Sequence, residues 1–343
     1  MDPVTQGVLG LNASQLVSER RERIMAAVLG VISGMAADLD VLIRSPSDPL
    51  LFLEYHRHFT HALVFIPFGA LLCTCFARLI FIKWFAGNQL SFARTYVFCL
   101  AGYATHAVLD ACTTYGTQLF WPFSDMRVAW NNVSVVDPLF TLPLILLMVI
   151  TLRFKSAKVA WFAAIYAVSY LGLGVVQKNR VISIAQALAD SRGHESVDIS
   201  AKPSLGNIIV FKSIYEYQDK YYVDAIRVLL DETVYEGSSV AKLDVDKHFN
   251  WLDKSSQQAK DIERFRWFSN NYLSIDPNNP KRIIDVRYSI VPNRLDGMWG
   301  ITLSPTGSNS DHVVWTSSRG DKQKVRLSAK QLWAMIKGVY VGT

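Results

Sequence analysis

Five long apolar stretches fill most of the first half of the chain and constrain what it can fold into. They span residues 24–43, 61–82, 92–112, 135–152 and 159–176. A helix crosses a hydrocarbon core of ~30 Å with about 20 apolar residues, and each stretch has roughly that length. We therefore predict an α-helical membrane bundle of about five transmembrane helices.

The second half of the chain has a different texture, which indicates a small soluble α+β domain. Runs of β-branched and aromatic residues predict strands, and apolar residues at helical spacing predict helices. The predicted strands cover 206–212 and 221–230, a hairpin surrounds Pro292 and Asp296-Gly297, and the helices cover 261–273 and 331–341. We divide the chain into a membrane-embedded domain (1–177), a linker helix (178–200) and a soluble domain (201–343).

Charge argues against a nucleic-acid partner. Residues 1–177 carry 12 Lys or Arg and 10 Asp or Glu, whereas residues 178–343 carry 23 and 19. Neither half has the dense basic patch that nucleic-acid binding requires. The expected partners are membrane lipid and, through residues 201–343, a protein of the bacterial envelope.

Basic residues cluster in two of the connections between apolar stretches, and this predicts an orientation. One connection holds Arg78, Lys83 and Arg94, and another holds Arg153, Lys155 and Lys158, without an acidic residue in either. Basic loops prefer the cytoplasm. Five spans then place the N-terminus inside the cell and residues 201–343 in the periplasm of a bacterial inner membrane.

Ionisable side chains stand where neighbouring apolar stretches end or begin. They are Asp38 and Asp40, His56 and His61, His106 and Asp110, and Asp137. If the stretches alternate in direction across the bilayer, all of these residues fall on one face. An ionisable residue within a membrane segment is costly, so this convergence predicts a functional site.

The spacing of these residues admits a metal site but leaves structural alternatives open. His106 and Asp110 are four apart, so they share one helical face, either as ligands or as a buried hydrogen-bonded pair. His56 and His61 converge only if His56 lies on a loop; His58 and His61 instead share a helical face, or the whole motif is a charged interfacial loop.

The carboxylates at the helix ends are open to two interpretations. Asp38 and Asp40 reach one ion only if the helix has ended or unwound there, and Gly34 just upstream favours such a break. Asp137 precedes Pro138, which is typical of a helix N-cap, although a cap and a ligand are not exclusive.

Histidine and aspartate without cysteine suit a divalent metal, with Zn²⁺ the leading candidate, Mn²⁺ or Fe next, and a two-metal centre an alternative. The predicted ligands are Asp38, Asp40, His56, His61, His106 and Asp110. A bound metal activates water, Asp38 or Asp110 serves as general base, and Arg57 offers a planar fork for phosphate or carboxylate. The motifs of serine hydrolases, P-loop proteins and Rossmann folds are absent from the sequence.

The order of these motifs over about residues 1–150 resembles a family of bacterial inner-membrane proteins described as metal-dependent hydrolases. The resemblance rests on Met1–Gly7, Asp38-Leu39-Asp40, His56-Arg57-x-x-Thr60-His61, His106-x-x-x-Asp110, Thr114–Thr117 and Trp121-Pro122-Phe123. It implies an integral membrane protein with a His/Asp metal site. Many members carry His where this chain has Gln6, so the ligand set here is one short or Gln6 supplies an amide oxygen.

These features predict a metal-dependent hydrolase whose site lies at the outer membrane–water boundary and acts on a lipid-linked or phosphoester substrate. The alternative is a membrane-anchored scaffold with a structural metal, whose soluble domain binds an envelope partner. An ion pathway is disfavoured because the polar residues gather at one face rather than continuing through the membrane.

Overall fold

A computed structural model describes residues 1–82, 85, 90–317 and 322–339. The chain forms two compact units. The first contains Met1–Ile43, Tyr55–Val175 and Leu205–Asn207, and the second contains Arg44–Glu54, Val176–Ser204 and Ile208–Thr343. Of the basic residues used above to predict orientation, Lys83 lies outside the described residues.

The first unit is helical. Its long helices are α1 (Pro3–Leu16), α2 (Arg23–Ala36), α4 (Ile66–Ile80), α5 (Phe92–Cys112), α6 (Pro138–Phe154) and the first part of α7 (Ala157–Ser191). A short helix, α3 (Leu51–Tyr55), crosses the boundary between the units. Short 3₁₀ segments occupy Ala37–Leu42, Phe59–His61 and Leu63–Phe65.

Helices α1 and α2 pack as a close hairpin because glycines meet where they cross. A Cβ on Gly10 would lie 2.4 Å from the carbonyl oxygen of Gly30 and 2.8 Å from the Cα of Gly34. Small residues of this kind let helix backbones approach closely inside membranes. The hairpin buries the polar side of α1, including Gln6, against the rest of the bundle.

Within the described ranges, three helices are long and apolar enough to cross a membrane. They are Arg23–Leu42, Leu63–Ile80 and Ala157–Ser191, while Pro138–Phe154 is apolar but shorter. The predicted apolar stretches at 92–112 and 135–152 correspond to helices α5 and α6. The structure therefore confirms a helical membrane unit, and the number of five spans stays a prediction.

The predicted metal ligands Asp38, Asp40 and His61 lie in 3₁₀ turns, at the ends of regular α-helices. Helix α2 tightens at its end into the 3₁₀ turn Ala37–Leu42, which carries Asp38 and Asp40. The second apolar stretch does not begin as an α-helix at His61; two 3₁₀ turns precede α4, which starts at Ile66. Pro67 stands in the first turn of α4, where its missing N–H costs nothing.

The second unit is built on two four-stranded antiparallel sheets with the strand orders β1-β2-β3-β4 and β5-β6-β7-β8. The strands are β1 (Ser200–Pro203), β2 (Val210–Tyr217), β3 (Lys220–Val228), β4 (Glu232–Ala241), β5 (Leu273–Asp276), β6 (Asn279–Asp285), β7 (Trp299–Thr302) and β8 (Val314–Ser317). Its helices are α8 (Val245–His248), α9 (Gln257–Phe268) and α10 (Lys322–Lys337), besides the end of α7.

Both sheets share one core. Ile214 and Val223 of the first sheet pack with Ile284 of the second, and a separate cluster places Leu332 and Met335 of α10 against the first sheet. The α+β prediction is therefore confirmed. The predicted 206–212 and 221–230 strands appear as β2 and β3, and the predicted hairpin appears as β6 paired with β7 across a longer connection.

Candidate metal centre

Four side chains from three separated segments meet at one point. Asp38 follows α2, His61 ends a 3₁₀ turn, and His106 and Asp110 lie one turn apart on α5. Each offers one ligand atom, and the four atoms lie within 4.8 Å of one another. The side chains of His61, His106 and Asp110 are fully buried, whereas that of Asp38 is 18% exposed.

The hydrogen bonds of the two imidazoles fix which nitrogen faces the cluster. His106 Nδ1 lies 2.6 Å from the carbonyl oxygen of Gly34, which only accepts, so Nδ1 carries the proton. His61 Nδ1 lies 3.0 Å from Thr60 Oγ1 and 3.2 Å from Asp40 Oδ2. Both rings therefore direct Nε2 inward, as metal-binding histidines do when a neighbour holds the other nitrogen.

Each Nε2 faces carboxylate oxygen rather than a donor. His61 Nε2 is 3.2 Å from Asp110 Oδ2 and 3.6 Å from Asp38 Oδ1; His106 Nε2 is 3.7 Å and 3.4 Å from the same two atoms. Neither nitrogen has a hydrogen-bond partner among the described residues. Lone pairs that face carboxylates need a cation between them, which is either a proton on each ring or a metal ion.

The spacing fits a metal ion. Four ligands at ~2.0–2.1 Å from a tetrahedrally bound Zn²⁺ are ~3.3 Å from one another. The four distances between nitrogen and oxygen in the cluster run from 3.2 to 3.7 Å. This cluster, Asp38, His61, His106 and Asp110, is hereafter the central cluster, and it can hold a divalent metal ion.

Arg57 and Gln6 hold Asp110. Arg57 Nε lies 2.9 Å from Asp110 Oδ2, and Gln6 Nε2 donates to Asp110 Oδ1 at 2.8 Å. The Arg57 guanidinium also donates to Thr113 Oγ1 at 2.8 Å, and its side chain is only 4% exposed. The predicted fork for phosphate is thus directed at the carboxylate of the cluster instead of at solvent.

Asp40 lies beside the central cluster and connects it to His56. Its Oδ2 accepts from the Arg57 backbone N–H at 2.9 Å and from Thr60 Oγ1 at 3.0 Å, and it faces His61 Nδ1. Its Oδ1 contacts His56 Nδ1 at 2.8 Å. Asp38, Asp40 and His56 form a second group whose ligand atoms lie within 4.8 Å of one another.

Two other candidate residues lie elsewhere. Asp137 is the N-cap of α6: its Oδ1 accepts from the backbone N–H groups of Leu139 and Phe140 and from the hydroxyl of Tyr170. It belongs to neither metal-capable group of the described residues. His58 packs its ring against Trp121, with ring centres 5.3 Å apart.

Two positioning groups are not evident from the sequence alone. The carbonyl of Gly34 orients His106, and Thr60 bridges His61 and Asp40. The sequence marks Gly34 only as a helix breaker, because any residue type can supply a backbone carbonyl. Thr60 lies within the quoted motif, where a hydroxyl next to a histidine is the signal that could have been followed.

Comparison of the sequence with known protein families identifies the family of this chain. The model of the YdjM inner membrane protein family matches residues 1–181. The chain belongs to the YdjM inner membrane protein family. The match confirms the resemblance drawn from the motifs and extends it beyond residue 150, through α6 and much of α7.

Two curated relatives are similar to parts of the YdjM-family chain. The inner membrane protein YbcI of Escherichia coli (strain K12) is 33% identical over 110 residues, which are 31% of this chain and 60% of the relative. The uncharacterized protein YfhP of Bacillus subtilis (strain 168) is 25% identical over 114 residues, which are 33% of each protein. The chain thus spans less than two thirds of either relative, and no solved structure matches it significantly.

Proposed function

We propose that this YdjM-family protein is a metal-dependent hydrolase of the bacterial inner membrane. The observation that carries the proposal is the central cluster, where two buried imidazole Nε2 atoms without hydrogen-bond partners face two carboxylates. Two nitrogen and two oxygen donors suit Zn²⁺ best, with Mn²⁺ or Fe as alternatives.

The chain's own residues divide the work of such a site. A bound divalent cation supplies Lewis acidity, which lowers the pKa of water and polarises a carbonyl or phosphoryl oxygen. Asp40, Thr60 and Gly34 fix the two rings, and Arg57 fixes Asp110. Asp38 is the most exposed member of the cluster, so water and substrate approach from its side. In this proposal Asp110 and Arg57 position the site, and Asp38 is the carboxylate closest to the reaction.

A lipid-linked or phosphoester substrate follows from where the cluster lies. It stands at the end of helices that carry exposed apolar side chains, such as Leu39 and Phe68. The loop after α5 exposes 86% of Phe123 and 46% of Trp130. Exposed aromatic residues at the end of a membrane helix are typical of the headgroup level, where lipid-linked substrates present their polar parts.

Basic residues at the opposite end of the first unit indicate on which side of the membrane the proposed site lies. Arg153 and Lys155 lie there, together with Arg20 and Arg21 of the α1–α2 connection. Because basic loops stay in the cytoplasm, we place the central cluster on the periplasmic side. This assignment takes α5 and α6 as spans as well, gives five besides the shorter α1, and puts the soluble domain (201–343) in the periplasm. Because the Met1 amino group contacts Asp110, it also puts the N-terminus on the periplasmic side, and not inside the cell as the loop charges alone predict.

The proposal is tested by measuring the metal content and the hydrolytic activity of the same purified protein. The full chain is purified in detergent, its metal is measured by mass spectrometry, and cleavage of phospholipids and of a phosphodiester is assayed. We expect about one tightly bound divalent ion, with His61→Ala and His106→Ala each losing both the ion and the cleavage. The matched control is His58→Ala, which removes a ring of the same motif that packs against Trp121 instead.

Two results would defeat the proposal. One is cleavage that survives both histidine substitutions and chelation. The other is a protein that takes up no divalent ion while the variants and the parent unfold at the same temperature.

A second candidate function is a scaffold with a structural metal. The observation that favours it is the four protein donors of the central cluster, because structural zinc sites are closed by four and catalytic sites keep one position open. In that case the soluble domain, residues 201–343, binds an envelope partner. Replacing the metal with Co²⁺ separates the two candidates: only an open site changes its absorption spectrum when inorganic phosphate is added.

A further inference from the structure

We propose that a second divalent cation binds next to the first, held by Asp40, His56 and the second carboxylate oxygen of Asp38. The proposal rests on the metal site of the proposed function and makes that site a two-cation centre. The starting observation is the group Asp38, Asp40 and His56, whose ligand atoms lie as close together as those of the central cluster.

Asp38 is the residue that joins the two ions. Both imidazoles of the central cluster face its Oδ1, at 3.6 Å from His61 Nε2 and 3.4 Å from His106 Nε2. This leaves Oδ2 for a neighbouring ion. The unpartnered, fully buried nitrogens of His61 and His106 are independent evidence that Asp38 lies beside a cation.

Asp40 has one oxygen engaged and one available. Oδ2 meets the Arg57 backbone N–H, the Thr60 hydroxyl and His61 Nδ1, whereas Oδ1 contacts only His56 Nδ1 among the described residues. Adjacent ligands of an octahedral ion at ~2.1 Å are ~3.0 Å apart. The 2.8 Å between Asp40 Oδ1 and His56 Nδ1 is close to that separation.

Exposure and charge make the two positions unequal. His56 keeps 21% of its side chain exposed, while His61 and His106 are fully buried. The three carboxylates, Arg57 and the Met1 ammonium that pairs with Asp110 together carry one negative charge, so the first divalent ion already makes the centre net positive. A second ion adds to that positive charge, so we expect it to bind at least tenfold more weakly than the first. Inorganic phosphate should strengthen its binding, because an anion offsets the excess positive charge.

Mn²⁺ is the probe for the test, because its electron paramagnetic resonance distinguishes an isolated ion from a pair. The full chain in detergent is titrated with Mn²⁺ by equilibrium dialysis. We expect two ions per chain, with an exchange-coupled spectrum at saturation. His56→Ala should bind one ion with an isolated-ion spectrum, and His58→Ala should behave as the parent protein does.

Each outcome decides the matter. A parent protein that saturates at one ion overturns the second site and leaves the first intact, whereas one that binds none defeats the proposed function itself. Two ions in His56→Ala would overturn the assignment of His56. If that variant does not fold, the parent spectrum still decides, because an uncoupled signal at two ions per chain would place them far apart.

Discussion

The two units both bury charged side chains, but they balance that charge differently. In the part of the second unit that the structure describes, each buried aspartate lies next to an arginine. The pairs, with their closest distances, are Asp224–Arg192 at 2.6 Å, Asp276–Arg282 at 2.6 Å, Asp285–Arg287 at 2.7 Å and Asp261–Arg264 at 2.9 Å. In the first unit Asp110 pairs with the Arg57 guanidinium and the Met1 amino group, whereas Asp38 and Asp40 face histidine rings and have no arginine or lysine side chain beside them among the described residues.

The difference indicates what each set of charges is for. A buried charge is tolerated when a partner of opposite sign compensates the lost hydration. The second unit supplies those partners from its own chain, so its ion pairs hold its fold. In the first unit Asp38 and Asp40 face imidazole nitrogens instead, and a cation from outside the chain, or protons on the rings, can compensate their charge. Its charges are therefore arranged for a ligand.

The largest effect we expect is a loss of stability in the second unit, produced by a substitution that leaves the metal site of the first unit intact. Asp285→Asn leaves Arg287 buried beside a neutral partner, and breaking such a pair costs about 3–5 kcal/mol. We expect the free energy of unfolding, measured by urea titration, to fall by that amount while the metal content stays unchanged. Asp110→Asn should do the reverse and abolish metal binding. Loss of metal in Asp285→Asn would contradict the division between the units.

Removing the metal should destabilise the first unit alone. A ligand present at about 100 times its dissociation constant stabilises the folded state by ~2.7 kcal/mol. Chelation withdraws this and leaves three carboxylates in mutual repulsion, so we expect α2 and α5 to exchange amide hydrogen faster. Strands β1–β4 should exchange at their original rates. Equal protection of both units with and without chelator would remove the reason to treat the central cluster as a ligand site.

The next effect concerns a buried cation in the second unit. Lys212 lies opposite Lys202 in the β1–β2 ladder and donates to Ser289 Oγ at 2.9 Å. Burial lowers the pKa of Lys212 from 10.5 to about 7. Between these values the unfolded chain holds a proton that the folded chain has released, so stability rises from pH 7 toward pH 10.

Calorimetry at pH 7 and pH 9 checks this. We expect the parent protein to gain ~2 kcal/mol more over this range than Lys212→Met does, since one titrating group contributes up to ~1.4 kcal/mol per pH unit. Lys242→Met is the control, because that lysine is only partly buried and pairs with Glu216. If the parent and Lys212→Met had the same pH dependence, Lys212 would keep its proton in the folded protein. Its buried charge would then be compensated by neighbouring groups, as the buried charges of the aspartate–arginine pairs are.

Periodicity and residue type were sufficient for part of the central cluster. The spacing of His106 and Asp110 on one helical face and the break after Gly34 both appear in the structure as expected. These features depend on neighbours in the sequence, which local geometry fixes. The roles of the individual ligands remain proposals.

Contacts between distant segments could not be predicted in the same way. Nothing in the sequence around Arg57 indicates that its side chain turns to Asp110, 53 residues away, because the turn depends on a left-handed backbone at Arg57 with φ of 64°. The sequence allows Asp137 to be a helix N-cap or a metal ligand. Its contacts with Tyr170 and with the start of α6 show it as a cap.

The smallest effect we predict concerns Gln6, where the family resemblance implies a histidine in many members. Its Nε2 donates to Asp110 Oδ1 at 2.8 Å, and a group that orients a metal ligand in this way is worth about 10- to 100-fold in metal affinity. We expect Gln6→Ala to weaken metal binding about tenfold, or ~1.4 kcal/mol, in competition with a chromophoric chelator. Gln6→His should bind the metal at least as tightly as the parent does.

Gln15→Ala is the matched control, because Gln15 is equally buried on α1 but donates to the Arg23 carbonyl at the other end of the helix. If Gln15→Ala weakened metal binding as much, the effect would come from the packing of α1 as a whole, and Gln6 would have no special part in holding Asp110.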